Sequence, residues 1–406
     1  MKRAFLLSAL RTPIALRHGG LSRIRPEHFS ATVVQELLRR TGVDGSDLDG
    51  IFAGNAVGTG GNIARLTSLL AGIPQTVPAV TIDMQCASAA ASISLAFAKI
   101  AAGQGDCYIA GGMESVSLQP ARTYAAGDPR REALAATGGT YYTAELAPGD
   151  LRPDTMLWGA ERVMEQEHVT REELDRWVLR SHQRAAAAAK AGVLRDWILP
   201  IDVRQRDTTQ PPVDADKRQL CSCDEGIKAR MNQRLLDRLL PVLGPGTLLN
   251  AANACRTNDG AAFVLLASED FVCEHHLTPE LELLATAAAG VDPAESPRGA
   301  MATAEKLLKE QHLAWSDLAA IEFNEAFAVI DVLLERTHPE IIDRYNRHGG
   351  ALAYGHPYGA SGAILAIQLL AALREEKNGS LGLLSIAGAG GLGEAILMRS
   401  FSSSSP

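Results

Sequence analysis

The chain has 406 residues, enough for two domains or for three if one is small, and its 46% hydrophobic and 21% charged residues fit a soluble globular protein with a large core. A net charge of −8 argues against broad affinity for nucleic acid or anionic membranes, so a phosphate-bearing ligand must find a local basic patch or a helix N-terminus.

The opening MKRAFLLSAL places basic residues ahead of an apolar run, as a signal peptide does. That run covers only seven residues, 4 to 10, and Arg11-Thr12-Pro13 follows where a small-residue cleavage site belongs. It reads as a buried first strand. No later apolar stretch reaches membrane-spanning length, so no span is expected. The six scattered cysteines form no disulfide framework and point to a reducing, cytoplasmic setting.

Helical and strand patterns then alternate, the mark of an α/β fold. AVTIDMQ runs extended into Cys86-Ala-Ser-Ala-Ala-Ala, which opens a helix carrying Ile93, Phe97 and Ile100 on one face. Gly103 stops it, and CYIAGG at 107–112 is a buried strand ending in glycines. Residues 118–250 have another texture, richer in charge and proline, with an alanine run at 185–189 and PPVDADKRQ at 211–219. They read as a loop-and-helix insertion covering the first unit. The first plan then returns. His356-Pro-Tyr-Gly-Ala-Ser-Gly-Ala opens a helix with Ile364, Ile367 and Leu370 on one face, Gly379 ends it, and LGLLSIAGAGG at 381–391 is a strand running into glycines. Two copies of one α/β unit imply an internal duplication, with a reactive residue just before a helix in each. The boundaries expected are 1–270, including the inserted loop domain, and 271–406. The tail FSSSSP reads as disordered.

Three residues could do chemistry. A thiol at the N-terminus of a helix feels the positive end of the dipole, so the Cys86 pKa is expected to fall; the bland alternative is a packing cysteine. His356 is cleared by glycines and held by Pro357 at the matching place of the second copy, and a Cys–His pair across a pseudo-twofold interface makes a nucleophile. Asn324, at the end of the apolar AAIEF, could hold a water or carbonyl oxygen, although an Asn-Glu pair alone reads as a helix cap. Cys221-Ser-Cys223 lacks a second ligand pair, so no metal site is expected, and His275-His276 reads as an exposed helix end.

Together these stretches resemble the thiolase family. The resemblance is carried by NIAR (62–65), IPQTVPAVT, Cys86, IAGGMESVS, NACRTNDGAA (253–262), NEAFAV (324–329), GGALAYGHPYGASGA (349–363) and the glycine-rich end. It implies a thiolase-like fold of two α/β halves in a layered αβαβα core. It also implies a catalytic nucleophile at Cys86 that takes an acyl group from acyl-CoA, activation by His356, and an oxyanion hole shared by His356 and a water on Asn324. A second oxyanion hole would use the backbone N–H groups of Cys86 and Ala389. Substrate contacts fall on Lys228 and Cys255, where the family typically has arginine and serine, and on Met156 and Phe327. Coenzyme A enters as a substrate thioester, with no cofactor, and a homodimer or homotetramer is implied.

The family's second catalytic cysteine falls on Ala387, which has no proton to exchange. Ser385 lies two residues away on the same face, and an unassisted hydroxyl is a poor base. Ser296-Pro297-Arg298-Gly299-Ala300 replaces the usual Met-Gly-x-Gly-Pro, and Thr155 stands where many members carry histidine. Three readings follow. The first is a thiolase-type acyltransferase, impaired unless Ala387 is compensated. The second is ketosynthase-like decarboxylative condensation or transfer to another nucleophile, and the third is a non-catalytic acyl-CoA-binding scaffold.

Overall fold

The computed structural model describes residues 2–58, 60–204 and 220–401; the 211–219 stretch and the tail beyond Phe401 lie outside the described residues. Nine long strands build the main sheet: β1 Ala4–Arg11, β2 Gly50–Gly54, β3 Ala79–Ile82, β4 Cys107–Glu114, β5 Asn258–Ser268, β6 Leu281–Gly290, β7 Leu318–Phe323, β8 Leu381–Gly388 and β9 Leu392–Ser400. The longer helices are α1 Pro26–Thr41, α2 Ile63–Leu70, α3 Ser88–Ala101, α4 Thr155–Gln166, α5 Arg171–Ala191, α6 Gly299–Glu310, α7 Ala328–Thr337 and α8 Ser361–Arg374.

The strand order is β7-β8-β9-β6-β1-β5-β4-β2-β3. Its first-half part, β3-β2-β4-β5-β1, and its second-half part, β7-β8-β9-β6, follow one plan if the second half lacks its third strand. A lone parallel bridge from Ile321 to Tyr345 stands where that strand would pair. The halves join through an antiparallel pairing of Ala4–Leu6 with Leu281–Leu283. The duplication expected from sequence is therefore visible in the topology.

Burial explains the layers. Every residue of β4 and β5 is buried, as strands covered on both faces must be. On β1, Ala4, Leu6 and Ala9 face a central apolar cluster, whereas Phe5 and Leu7 face another with Phe29, Val33 and Leu37 of α1. Helix α8 is buried from Ser361 to Leu373, the signature of a helix enclosed on all sides, and it packs on α3 between the sheet halves. A Cβ on Gly362 would lie 2.2 Å from the Ala90 nitrogen, so the two central helices approach this closely only because that residue is glycine. Helices α1 and α2 cover one outer face, and α6 and α7 the other, which completes the αβαβα order.

The insertion does not cover only the first half. Leu174, Trp177 and Val178 of α5 join the apolar cluster of Leu333, Ile342 and Tyr345, while Arg184 donates to the Tyr345 carbonyl and Arg176 pairs with Glu335. Its far end returns to the first half, where buried Arg11 and Asp224 pair at 2.7 Å. The apolar stripe on α5 finds its match in the second half, which drew the insertion across both. His275 caps the short helix Glu269–Glu274 and is exposed, as expected.

Candidate active site

Between β3 and α3 the chain turns through Asp83, Met84 and Gln85, and Gln85 takes the left-handed φ of 52°. Ser88 stabilises this turn by accepting from the Met84 N–H at 2.9 Å and donating to the Gln85 carbonyl at 2.6 Å. Half-buried Cys86 follows. The glycine-rich end of β8 approaches the same turn. A Cβ on Gly388 would stand 2.9 Å from the Met84 carbonyl oxygen, and beyond it the backbone N–H of Ala389 points at the Cys86 sulfur, as does the N–H of Cys86 itself. The strand ends at Gly388, not at 391: Gly390 and Gly391 have φ of 84° and 77° and form the turn. Buried Ser296 braces it by accepting from the Gly391 N–H at 2.9 Å while donating to the Pro293 carbonyl. That is the use of a segment whose sequence only signalled a departure.

The helix-dipole expectation for Cys86 fails. Burial pushes its thiol up to about 12, against the pull of the two N–H groups, with Glu114 and Asp83 raising it further. A dipole contributes about 0.3–1 kcal/mol at a helix end. The shift from 9 to about 12 corresponds to about 4 kcal/mol in the other direction, so desolvation wins.

His356 is buried, and burial lowers it to about 3, so its imidazole is neutral. Ser361 Oγ spends its one proton on the Pro357 carbonyl at 3.0 Å and therefore accepts from His356 Nδ1–H at 2.6 Å. This assignment leaves Nε2 with the lone pair, 3.4 Å from Asn324 Nδ2. Asn324 is itself fixed by its N–H on the Ser385 carbonyl at 3.1 Å. The Tyr358 ring meets His356 edge-on at 5.0 Å and feels the charges of Cys255, Cys86 and Glu114, which gathers these groups around one pocket.

The segment 253–257 threads between the Asn324 loop and the His356 turn. Cys255 N–H donates to the Ala326 carbonyl at 2.9 Å, Ala254 bridges Phe327, and the Arg256 carbonyl receives the His356 N–H at 2.9 Å. Cys255 is half-buried and, like half-buried Met156, packs against the apolar cluster that includes Phe327. Lys228 stands farther out, exposed, with its N–H on His182 Nδ1 at 3.2 Å. Arg256 lies half-buried beside it, and neither cation has an acidic partner among the described residues. Burial, Lys228 and Arg256 together hold His182 down to about 4, so it adds no charge.

Ala387 faces Gly299, whose Cβ would lie 3.6 Å from its own, and pairs with Gly393. Ser385 donates to the Ala300 carbonyl at 2.7 Å and cannot serve as a free base. Sequence reasoning missed Ser361, Arg256, Tyr358 and Ser296. Ser361 and Tyr358 lie inside the GHPYGASGA motif, and Arg256 interrupts NACRTND with a charge, so signals existed for three of them. Among the described residues no cluster suits a metal ion, and no helix is long and apolar enough to cross a membrane.

A thiol and a neutral imidazole, with convergent N–H donors on a duplicated α/β core, are the kinds of group that acyl-transfer chemistry uses. Residues 4–270 match the family described as the thiolase N-terminal domain, and residues 277–400 the thiolase C-terminal domain. The β-ketoadipyl-CoA thiolase of Pseudomonas aeruginosa is 36% identical over 98% of this chain and 99% of its own. The 3-oxoadipyl-CoA/3-oxo-5,6-dehydrosuberyl-CoA thiolase of Escherichia coli K12 is 34% identical over 98% and 100%. The crystal structure of the Bacillus anthracis acetyl-CoA acetyltransferase aligns with a TM-score of 0.87 at 29% identity, covering 99% of both chains. The Acat5 thiolase of Ascaris suum, solved in complex with coenzyme A, aligns at 0.85 and 30% identity, covering 98% of this chain and 100% of its own. This chain belongs to the thiolase family and is an acyltransferase of the thiolase type.

Proposed function

We propose that this acyltransferase takes an acyl group from a coenzyme A thioester onto Cys86 and passes it between thioesters, in condensation or thiolysis of a 3-ketoacyl-CoA. The carrying observation is the convergence of the Ala389 and Cys86 N–H groups at the Cys86 sulfur. Donors aimed there receive the carbonyl oxygen of a thioester whose carbon the sulfur attacks. His356 Nε2 takes the thiol proton during attack and returns it to the departing CoA sulfur, while Ser361 holds the tautomer. Asn324 orients a water or the second thioester's carbonyl beside the imidazole. Cys255, Met156 and Phe327 line the approach. Lys228 and Arg256, without an acidic partner among the described residues, receive an anionic part of the substrate, either a CoA phosphate or a carboxylate on the acyl end. Coenzyme A is then part of the substrate and no resident cofactor is required. We further place the protein in the cytoplasm, in keeping with its free cysteines, as a homodimer or homotetramer.

Intact mass after mixing with acyl-CoA esters tests the reading: an adduct should map to the peptide containing Cys86 and disappear in Cys86→Ala. An adduct retained by that variant overturns the assignment. One observation favours a second reading. Ala387 carries no acid or base and Ser385 is committed to the Ala300 carbonyl, so neither position of β8 offers a proton carrier for an α-carbon. Decarboxylative condensation needs none, and an acyl-enzyme that reacts only with malonyl-CoA would establish it.

A further inference from the structure

In the acyl transfer proposed above, the rate depends on where the Ala389 N–H lies, and the chain around it has little rigidity of its own. β8 ends at Gly388 and β9 starts at Leu392, so Ala389, Gly390 and Gly391 make the whole connection. Gly390 and Gly391 both take a left-handed φ, 84° and 77°. Glycine populates many conformations about equally, so a pair of glycines does not fix a peptide plane by itself. On the near side the strand end is well placed. A Cβ on Gly388 would lie 2.9 Å from the Met84 carbonyl oxygen and 3.6 Å from the Ala87 Cβ, which sets β8 against the turn on both sides of Cys86. The next N–H, that of Ala389, points at the Cys86 sulfur.

The far side of the turn is held by the segment 291–299. The Val291 N–H donates to the Gly391 carbonyl at 2.7 Å. Wholly buried Ser296 accepts from the Gly391 N–H at 2.9 Å. Its own proton goes to the Pro293 carbonyl at 2.9 Å, so a lone pair faces Gly391. Both polar groups of Gly391 are therefore held from one segment. The packing agrees: a Cβ on Gly391 would stand 2.3 Å from the Val291 carbonyl oxygen, and one on Gly299 2.3 Å from the Leu392 carbonyl oxygen. Those contacts are made by backbone, whereas the bond to the Gly391 N–H is made by the Ser296 side chain. Without that hydroxyl the N–H would be buried with no acceptor, a costly state. The cheapest relief is rotation of the peptide between the two glycines, and Ala389 moves with it.

We propose that Ser296 is a positioning residue for acyl transfer: by anchoring the Gly390–Gly391 turn it sets the Ala389 N–H where the thioester oxygen needs a donor. This rests on the reading of Cys86 as the acyl carrier. Ser296 touches no reacting atom and gives up no proton, so its whole effect passes through the turn. Loss of the anchor falls on the rate of acyl transfer and leaves the grip on coenzyme A in place. A misplacement of about 1 Å costs up to roughly 10²-fold, at the lower end of the roughly 10²–10³-fold for removing a donor outright. Alkylation by iodoacetamide displaces iodide from a saturated carbon and builds no oxyanion, so it does not depend on the donor.

The test compares two reactions of one sulfur, acylation by acetyl-CoA and alkylation by iodoacetamide, both followed by peptide-resolved mass spectrometry. Ser296→Ala should lower the maximal acylation rate by roughly 10–10²-fold, with half-saturating acetyl-CoA within about twofold and alkylation of Cys86 at its usual rate. Ser296→Cys, close in size but a weak acceptor, covers the case in which the alanine variant does not fold, and should show the same split. A role that stops at stability would lower the Tm and leave the ratio of acylation to alkylation unchanged, and that result overturns the proposal. A loss that falls equally on both reactions, or only on half-saturation, overturns it too. Absence of acylation at Cys86 in the unaltered protein would instead bring down the acyl-enzyme reading, and this proposal with it.

Discussion

The Cys86 thiol sits near 12 and the His356 imidazole near 3, so the resting pair is neutral at physiological pH. At pH 7 the thiol lies five decades below its midpoint, and on the order of one molecule in 10⁵ carries the thiolate unaided. The proton must then leave during attack, with His356 as the receiver, and no reactive ion pair is stored beforehand. Peptide-resolved alkylation by iodoacetamide reads this directly. Its rate at Cys86 should rise about tenfold per pH unit from 6 to 9, a total of roughly 10³-fold, with no plateau. His356→Asn should leave that slope in place, because the imidazole does not set the resting ionisation. The same variant should slow acylation by acyl-CoA by roughly 10²–10⁴-fold, because it removes the receiver. A flat alkylation profile between pH 6 and 9 would show a preformed thiolate–imidazolium pair and refute the argument.

Ser361→Ala removes the acceptor that fixes His356 Nδ1–H, so acylation should fall by roughly 10²-fold with little change in KM, and Ser361→Thr should recover part of it. Arg256→Gln should raise KM by roughly tenfold; equal losses with acetyl-CoA and a dicarboxylyl-CoA assign it to a CoA phosphate, a loss confined to the dicarboxylyl ester assigns it to the acyl carboxylate, and no loss with either refutes an anion-binding role. Glu394 is buried, and burial raises it from 4.5 to about 7, opposed by the Ser94 hydroxyl and Lys306. A raised folded-state pKa means stability that is full below about 4.5 and is lost as pH rises towards 7. Glu394→Gln should therefore raise the Tm at pH 8, by up to about 3 kcal/mol of stability, and leave it unchanged near pH 4.5; an equal effect at both pH values would refute the assignment.

The cleared surroundings of Cys86 and His356 were legible because small residues and glycines crowd around both, and a packing cysteine or histidine has no need of such clearance. The layers were legible through the repeated plan of helix, glycine stop and buried strand. The ionisation of Cys86 was not legible, since a helix N-terminus can be read from local pattern whereas desolvation is set by everything packed around the thiol. Nor were Ser361 and Arg256 legible in their roles. Ser361 acts on a ring five residues back only because the turn folds over itself. The open state of Arg256 depends on distant segments, since no acid among the described residues reaches it. The direction of the insertion was hidden for the same reason: its stripe of Leu174, Trp177 and Val178 announces burial but does not name the half that supplies it.

The duplication explains why neither half can hold the site alone. In each copy the end of one strand reaches the turn that precedes the central helix of the other copy. The end of β8 lies against Met84 and presents the Ala389 N–H to Cys86 before α3. The end of β4 does the reciprocal thing: the carbonyl of Met113 crowds Gly359, and the Glu114 carboxylate accepts the Gly359 N–H at 3.1 Å before α8. The chemical sense of the contact is opposite in the two places. On one side a strand end donates the Ala389 N–H to the Cys86 sulfur. On the other a strand end accepts, and its buried carboxylate, raised by burial to about 7 and held by the Ala56, Val57 and Gly359 N–H groups, fixes the turn that bears His356. One strand end thus presents a donor to the sulfur and the other braces the turn of the imidazole, the division of labour that the proposed acyl transfer calls for. Glu114→Gln would keep an acceptor for only part of that network, and a fall in acylation without loss of the Cys86 alkylation profile would show that the brace acts through His356 and not through the nucleophile.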